Sequence, residues 1–259
     1  SELSRKGCGG LGVTILQKNA RAESSSLPFS IRGLFSKESD SEIQHQHLAA
    51  KLPKLINAYG YQQHILDNQD LDNAIAQINV CNESHTICVI KKDSFDKVKL
   101  KNEHALDLSA YTPRSEFLIS LNEKFKGKDV LFIGTTGNAA REMYSFMPDT
   151  HNFYMAGNMG GALSIGFGAA KAGKKVIVCG GDAEFVMHMG GLTTAGRDAN
   201  NIDLTYILFD NEQNKSTGGQ NTYQNHLDYN DIVRGTGFGV EGNVITSVEG
   251  FKTAVKDID

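Results

Sequence analysis

Residues 175–211 read KVIVCGGDAEFVMHMGGLTTAGRDANNIDLTYILFDN. The run 175–179 is short and, after Lys175, apolar and rich in β-branched residues, the pattern of a strand covered on both faces. It ends at Gly180-Gly181-Asp182, where the period changes. Phe185, Met189 and Leu192 then recur at i, i+4 and i+7, which predicts a helix over 184–199. A second apolar run, 204–209, ends at Asp210-Asn211. Strand, helix and strand at this spacing make a crossover unit with parallel strands.

The same alternation extends upstream. An amphipathic helix is expected over 114–125 and a strand over 129–133, ending at Gly134-Thr135-Thr136-Gly137. A helix over 138–146 and a strand over 152–156 follow, then the loop Gly157-Asn158-Met159-Gly160 and a small-residue helix over 161–172. A closing helix is expected over 248–258. The fold class is therefore α/β, a doubly wound parallel sheet. Residues 1–95 read differently, as a partial second α/β domain. There 27–41 is Ser-rich and charged with weak order expected, 42–59 and 71–78 are helical candidates, and 86–90 is a short buried strand. Residues 96–111, within a stretch dense in Lys and Asp, read as a linker. The main domain is then 112–259, expected to lack its last strand.

The chain has 259 residues, of which 40% are hydrophobic and 22% charged, enough to bury a core and too apolar for a disordered segment. The net charge of −4 argues against a protein that coats nucleic acid. No run approaches the roughly 18 apolar residues of a membrane span, and the first ten residues lack the apolar region of a signal peptide. Four Cys without a CxxC or a dense framework make a reducing, cytoplasmic setting the expectation. The 27 Gly crowd into loops after apolar runs in the second half. Such clusters suggest backbone converging on one bound molecule.

Two glycine motifs are weak. Residues 7–12 match GxGxxG, but no strand precedes them, and a flexible loop is the plainer reading. Residues 168–175 approach a phosphate-binding loop but end in Lys175 rather than Ser or Thr, and a helix precedes where a strand should.

The chemistry-bearing pattern is Gly181-Asp182, then 28 residues, then Asn211. Consecutive parallel strands bring both to one carboxyl edge of the sheet, where open α/β sheets bind ligands. Asp and Asn oxygens suit Mg²⁺, which keeps phosphate and water as its other ligands. The N–H groups at Ala183 and Glu184 face an anion if a helix starts there. The residues alone thus suggest a magnesium-bridged diphosphate. The plainer alternative is a helix cap at Asp182 and a turn residue at Asn211.

Gly181-Asp182 with Asp210-Asn211 resembles the fingerprint of thiamine-diphosphate enzymes. Residues 157–160 resemble their cofactor-cradling loop. The resemblance implies a Gly157 carbonyl meeting the aminopyrimidine and Met159 wedging the cofactor into its bent form. Gly134-Thr135-Thr136-Gly137 resembles the loop that helps hold the diphosphate. The strings MAGNMGGALSIGFG (155–168), VMHMGGLTTAGR (186–197) and FDNEQNKSTGGQNTY (209–223) are similar to the phosphonopyruvate decarboxylase family, with the sulfopyruvate decarboxylases as near relatives. The similarity covers about 112–259, with a faint echo at Gln44-His45.

This resemblance implies thiamine-diphosphate- and Mg²⁺-dependent decarboxylation of a small 2-oxo acid, above all phosphonopyruvate to phosphonoacetaldehyde and CO₂. It implies Thr135, Thr136, Gly157, Met159, Gly181, Asp182, Ala183, Glu184, Asn211 and Ser216 at the cofactor, and Asp182, Asn211 and the Gln213 carbonyl at the metal. It also implies a homo-oligomer with shared active sites. Three departures stand out. Ala183 replaces a Gly, tolerable if its φ is negative. Asn221 replaces a Pro. No segment matches the motif of the Glu that activates the cofactor, so the catalytic residue is unassigned. A non-catalytic cofactor-binding subunit or an interaction module is the reading of another class. Arg114, Arg141 and Lys215 are candidate phosphonate partners by type, Arg141 more plainly a surface residue. His188 reads as packed on its helix, His226 as ambiguous, and His45 and His47 as surface. Cys81, His85 and Cys88 lack a fourth ligand for zinc.

Overall fold

The computed structural model describes residues 11–16, 30–33, 43–66, 70, 72–73, 75–76, 86–90, 106–215, 219–240 and 244–258. The chain divides into two compact units, Ser1–Lys99 and Leu100–Asp259.

In the first unit, strands β1 (Leu11–Leu16), β2 (Ser30–Gly33), β3 (Gln62–Leu66) and β4 (Thr86–Ile90) form one sheet in the order β2-β1-β4-β3. β1 runs antiparallel to both neighbours, whereas β3 and β4 are parallel. Helix α1 (Ile43–Ala58) lies close to the helix expected over 42–59. It buries Leu52 and Ile56 against Ile87 and Val89. Two expectations are corrected here. Gly12, the last glycine of the GxGxxG match that read as a flexible loop, lies inside β1, which pairs antiparallel with β2. The β-branched run Val13-Thr14-Ile15 carries that strand. Within 27–41, expected to be weakly ordered, residues 30–33 form a ladder strand. β3 went unforeseen because Gln62, Gln63 and His64 hide its period. Residues 72, 73, 75 and 76 are helical, and the rest of the 71–78 candidate lies outside the described residues.

The second unit holds the parallel sheet. Strands β5 (Leu131–Gly134), β6 (His151–Tyr154), β7 (Val176–Gly181) and β8 (Leu204–Phe209) lie in the order β6-β5-β7-β8. Every neighbouring pair is parallel. Alternation along the central strands sends side chains to opposite faces. Ile177 and Cys179 join Phe132 under helices α2 (Arg114–Phe125), α3 (Asn138–Phe146) and the C-terminal α8 (Val248–Ala254), with Phe117, Phe125, Met143 and Phe251 in one core. Val176 and Val178 join Ile133 beneath α4 (Ala162–Lys171) on the other face. Both faces are covered, which defines the doubly wound class.

The helix expected over 184–199 is two short ones, α5 (Asp182–Met187) and α6 (Gly191–Gly196). Adjacent Gly190 and Gly191 cost about 1 kcal/mol each in a continuous helix, and the chain turns there. Phe185 and Leu192 are buried as expected, while Met189 is exposed. Two-residue strands β9 (Gln213–Asn214) and β10 (Gln220–Asn221) form an antiparallel hairpin, followed by α7 (Tyr229–Gly235). The near-match to a phosphate loop is a surface turn from α4 to β7. There Lys171, Lys174 and Lys175 pair with Asp198, Asp129 and Asp203 at 3.5, 3.5 and 3.1 Å.

Candidate functional site

The strand order sets the site. β5 is followed in sequence by β6 on one side, and β7 by β8 on the other. The chain therefore leaves the two central strands in opposite directions, and beyond the carboxyl ends of such strands open α/β sheets bind their ligands. Thr135 and Asp182 are the first residues past those ends. Thr135 N–H donates to Cys179 O at 3.0 Å, tying the two loops together. The Thr135 hydroxyl is buried and, among the described residues, has no hydrogen-bond partner. A buried hydroxyl without a partner is costly and suits a site that takes a polar ligand.

Thr136 holds the next loop. Its hydroxyl contacts the carbonyls of Met155, at 3.1 Å, and Gly157. That loop is left-handed at Gly157, Asn158 and Gly160, with φ of +73°, +49° and +91°. Met159 between them is half-buried. Gly160 is obligatory, because a Cβ there would lie 2.7 Å from His188 Cβ. His188 is not packed in the core as expected. It caps the end of α5, is exposed, and sets Nδ1 3.0 Å from Gly160 O.

Asp182 opens α5 and is only 4% exposed. Burial pushes its carboxyl up to about 6, and the charge of Asp210 pushes the same way. The Ala183 N–H and the Thr222 hydroxyl, which donates to Oδ2 at 3.1 Å, pull against that rise. Ala183 is absent from the residues with positive φ, so its methyl sits on an ordinary backbone. Glu184 is buried, and its carboxylate accepts the Tyr206 hydroxyl at 2.7 Å. Gly180 beside it leaves the room that this hydroxyl occupies. What Glu184 offers a ligand is therefore its backbone rather than its side chain.

The β8 end supplies the remaining oxygens. Asp210 Oδ1 accepts from Glu212 N–H at 2.9 Å, and Asn211 Oδ1 from Gln213 N–H at 3.2 Å. Glu212 adopts φ +54° to close this turn. Gln213 is buried, and its amide donates to Leu106 O at 3.3 Å. Ser216 lies outside the described residues. Burial, then Asp210, Asp182 and Glu212, raise the Tyr229 phenol above its ordinary range. Three carboxylates thus act on one ring, a field that a cation would relieve. Among the described residues no group of three His, Cys, Asp or Glu forms a metal cage by itself.

Sequence reasoning missed Asp210 and Thr222 as site residues. The Asp-Asn doublet was visible, whereas Thr222 arrives only through the β9–β10 hairpin. Arg114 is not available to a substrate. Its guanidinium donates to both oxygens of Glu142, at 2.9 and 2.8 Å. Arg141 and Lys215 are exposed. His226 is exposed, with Nδ1 2.9 Å from Tyr223 O. The side chains of His45, His47, Cys81, His85 and Cys88 lie outside the described residues.

Residues 133–258 match the family model of the thiamine pyrophosphate enzyme C-terminal TPP-binding domain. A curated relative from Methanothermobacter thermautotrophicus, sulfopyruvate decarboxylase subunit beta, is 38% identical over 44% of this chain and 61% of its own. The phosphonopyruvate decarboxylase of Streptomyces viridochromogenes is 34% identical over 43% of this chain and 28% of its own. The sulfopyruvate decarboxylase subunit beta of Methanocaldococcus jannaschii is 33% identical over 49% of this chain and 68% of its own. The chain belongs to the thiamine-diphosphate-dependent decarboxylase family. It spans less than two thirds of the first two of these relatives. Among the described residues, no helix is long and apolar enough to cross a membrane.

Proposed function

We propose that this chain supplies the diphosphate- and Mg²⁺-binding half of a decarboxylase for a 2-oxo acid bearing a phosphonate or sulfonate, with phosphonopyruvate the first candidate. The observation that carries the reading is the buried Asp182 carboxylate at the end of β7, set against Asp210 and held by Thr222. Burying a carboxylate without a countercharge is costly, so its retention there favours a cation.

Asp182, the Asn211 amide oxygen and the Gln213 carbonyl would hold Mg²⁺. The Thr135 hydroxyl, unpartnered among the described residues, and the backbone N–H of Glu184 would take phosphate oxygens. Thr136 and the left-handed turns at Gly157 and Gly160 fix the loop that presents Met159 to the cofactor. Thiamine diphosphate, when bound, supplies the electron sink for the departing CO₂. The carboxyl group that ionises it would come from a second polypeptide or a further segment, in keeping with relatives that are named as beta subunits.

The test measures CO₂ release from phosphonopyruvate, sulfopyruvate and pyruvate with thiamine diphosphate and Mg²⁺. The chain is assayed alone and with a polypeptide carrying the family's activating Glu. Proton transfer by such a group is worth about 10²–10⁴-fold, and a gain of that size is expected for the two acidic substrates. Full activity from the chain alone would show that it carries its own base. Equal turnover of pyruvate would remove the assignment of an acidic substrate.

A further inference from the structure

His188 contributes to neither the metal nor the diphosphate in the reading above, yet it sits where the two parts of the site join. It ends α5, whose first residue is Asp182. A helix of six residues is about 9 Å long. Across from His188 lies Gly160, at the far end of the loop that carries Met159. Nδ1 is 3.0 Å from Gly160 O, with Ser164 Oγ a longer neighbour at 3.4 Å. A carbonyl oxygen only accepts, so the contact requires the proton on Nδ1. The approach is close: a Cβ on Gly160 would fall 3.1 Å from the His188 backbone nitrogen. Thr136 holds the loop at Met155 and Gly157, and His188 holds it at Gly160.

We propose that His188 is a positioning residue whose Nδ1–H latches the Gly160 carbonyl, coupling the loop of Met159 to the helix that begins at Asp182. The proposal rests on the cofactor reading for its purpose but not for its geometry. Without the latch, one end of the loop is released, and Met159 loses its fixed height above the sheet edge.

The experiment uses the full chain with His188→Asn, which keeps an N–H at the δ position, and His188→Phe, which keeps a ring without a donor. Amide exchange is followed on the peptide spanning 158–165, whose Gly161 N–H bonds Asn158 O at 3.0 Å. Without cofactor, His188→Phe should exchange about tenfold faster, the equivalent of one net hydrogen bond, and His188→Asn should stay near wild type. In parallel, thiamine diphosphate affinity at fixed Mg²⁺ should fall for Phe and recover for Asn. If Phe protects the loop as well as His does, or Asn exchanges as fast as Phe, the latch is wrong. If no variant and no wild-type protein binds thiamine diphosphate, the cofactor reading fails while the exchange result still decides the latch.

Discussion

Thr222 and Asp182 are 40 residues apart in sequence and meet side chain to side chain, the hydroxyl donating to Oδ2 at 3.1 Å. The Thr222 backbone N–H is itself fixed by Glu212 O at 2.9 Å. One short hairpin therefore orients the carboxylate that begins α5. A hydrogen bond to a charged group is worth roughly 1.5–3 kcal/mol. Thr222→Val should weaken Mg²⁺-dependent cofactor binding by about tenfold, since 1.4 kcal/mol is one decade. Thr222→Ser should restore it. Titration calorimetry decides, and unchanged affinity in the Val variant removes Thr222 from the site.

Asp182 gives a pH signature. Its carboxyl is raised from 3.8 to about 6 in the folded chain. Below the lower value it is protonated in both states and makes no difference. Between the two, the folded state keeps a proton that the unfolded state has released, so stability falls as pH rises; above about 6 the loss is complete. Without metal, Asp182→Asn should melt higher than wild type at pH 7–8, with the gap closing toward pH 4. With Mg²⁺ and thiamine diphosphate the order should reverse. Melting curves at several pH values check this, and a pH-independent gap would contradict it.

Arg114 ties α2 to α3 through its two bonds to Glu142, and its guanidinium lies 6.0 Å from the Phe209 ring centroid. Arg114→Ala should lower stability by about 1 kcal/mol in urea melts, near the upper end for partly exposed pairs. It should leave thiamine diphosphate affinity within twofold. A large loss of affinity at unchanged stability would return Arg114 to the list of substrate partners.

Cys179 lies under the site on β7, fully buried, and burial pushes its thiol up to about 12. The thiolate is the reactive form. Iodoacetamide at pH 8 should leave the Cys179 peptide unmodified in the folded protein and alkylate it in urea. Peptide mass spectrometry reads the result.

The parallel sheet was legible because its signals are local. Arg114–Phe125, Asn138–Phe146 and Leu204–Phe209 begin and end where apolar periodicity and the flanking Gly and Asp residues place them. The break at His188 was overridden by the i, i+4, i+7 stripe, although Gly190-Gly191 marked it. β9 and β10 are polar two-residue strands with no alternation to read. Thr222 gains its partner only from that hairpin, and Arg114 loses its availability only through α3. Both are facts of distant packing. In the first unit, β1 was obscured by its overlap with a glycine motif and β3 by polar residues on the sheet.

The strand order also bears on how this unit assembles. Leu131 pairs with Val176, farther along the chain than the Leu131–His151 or Val176–Leu204 pairings. Loop-closure entropy grows with separation, and pairings between distant residues form slowly. The two outer crossover units are therefore favoured to form first, and the seam between β5 and β7 to close last. Thr135 and Asp182 lie at the end of that seam. A ligand that bridges them would act as a staple on the slowest contact in the sheet, holding the seam shut once it has closed.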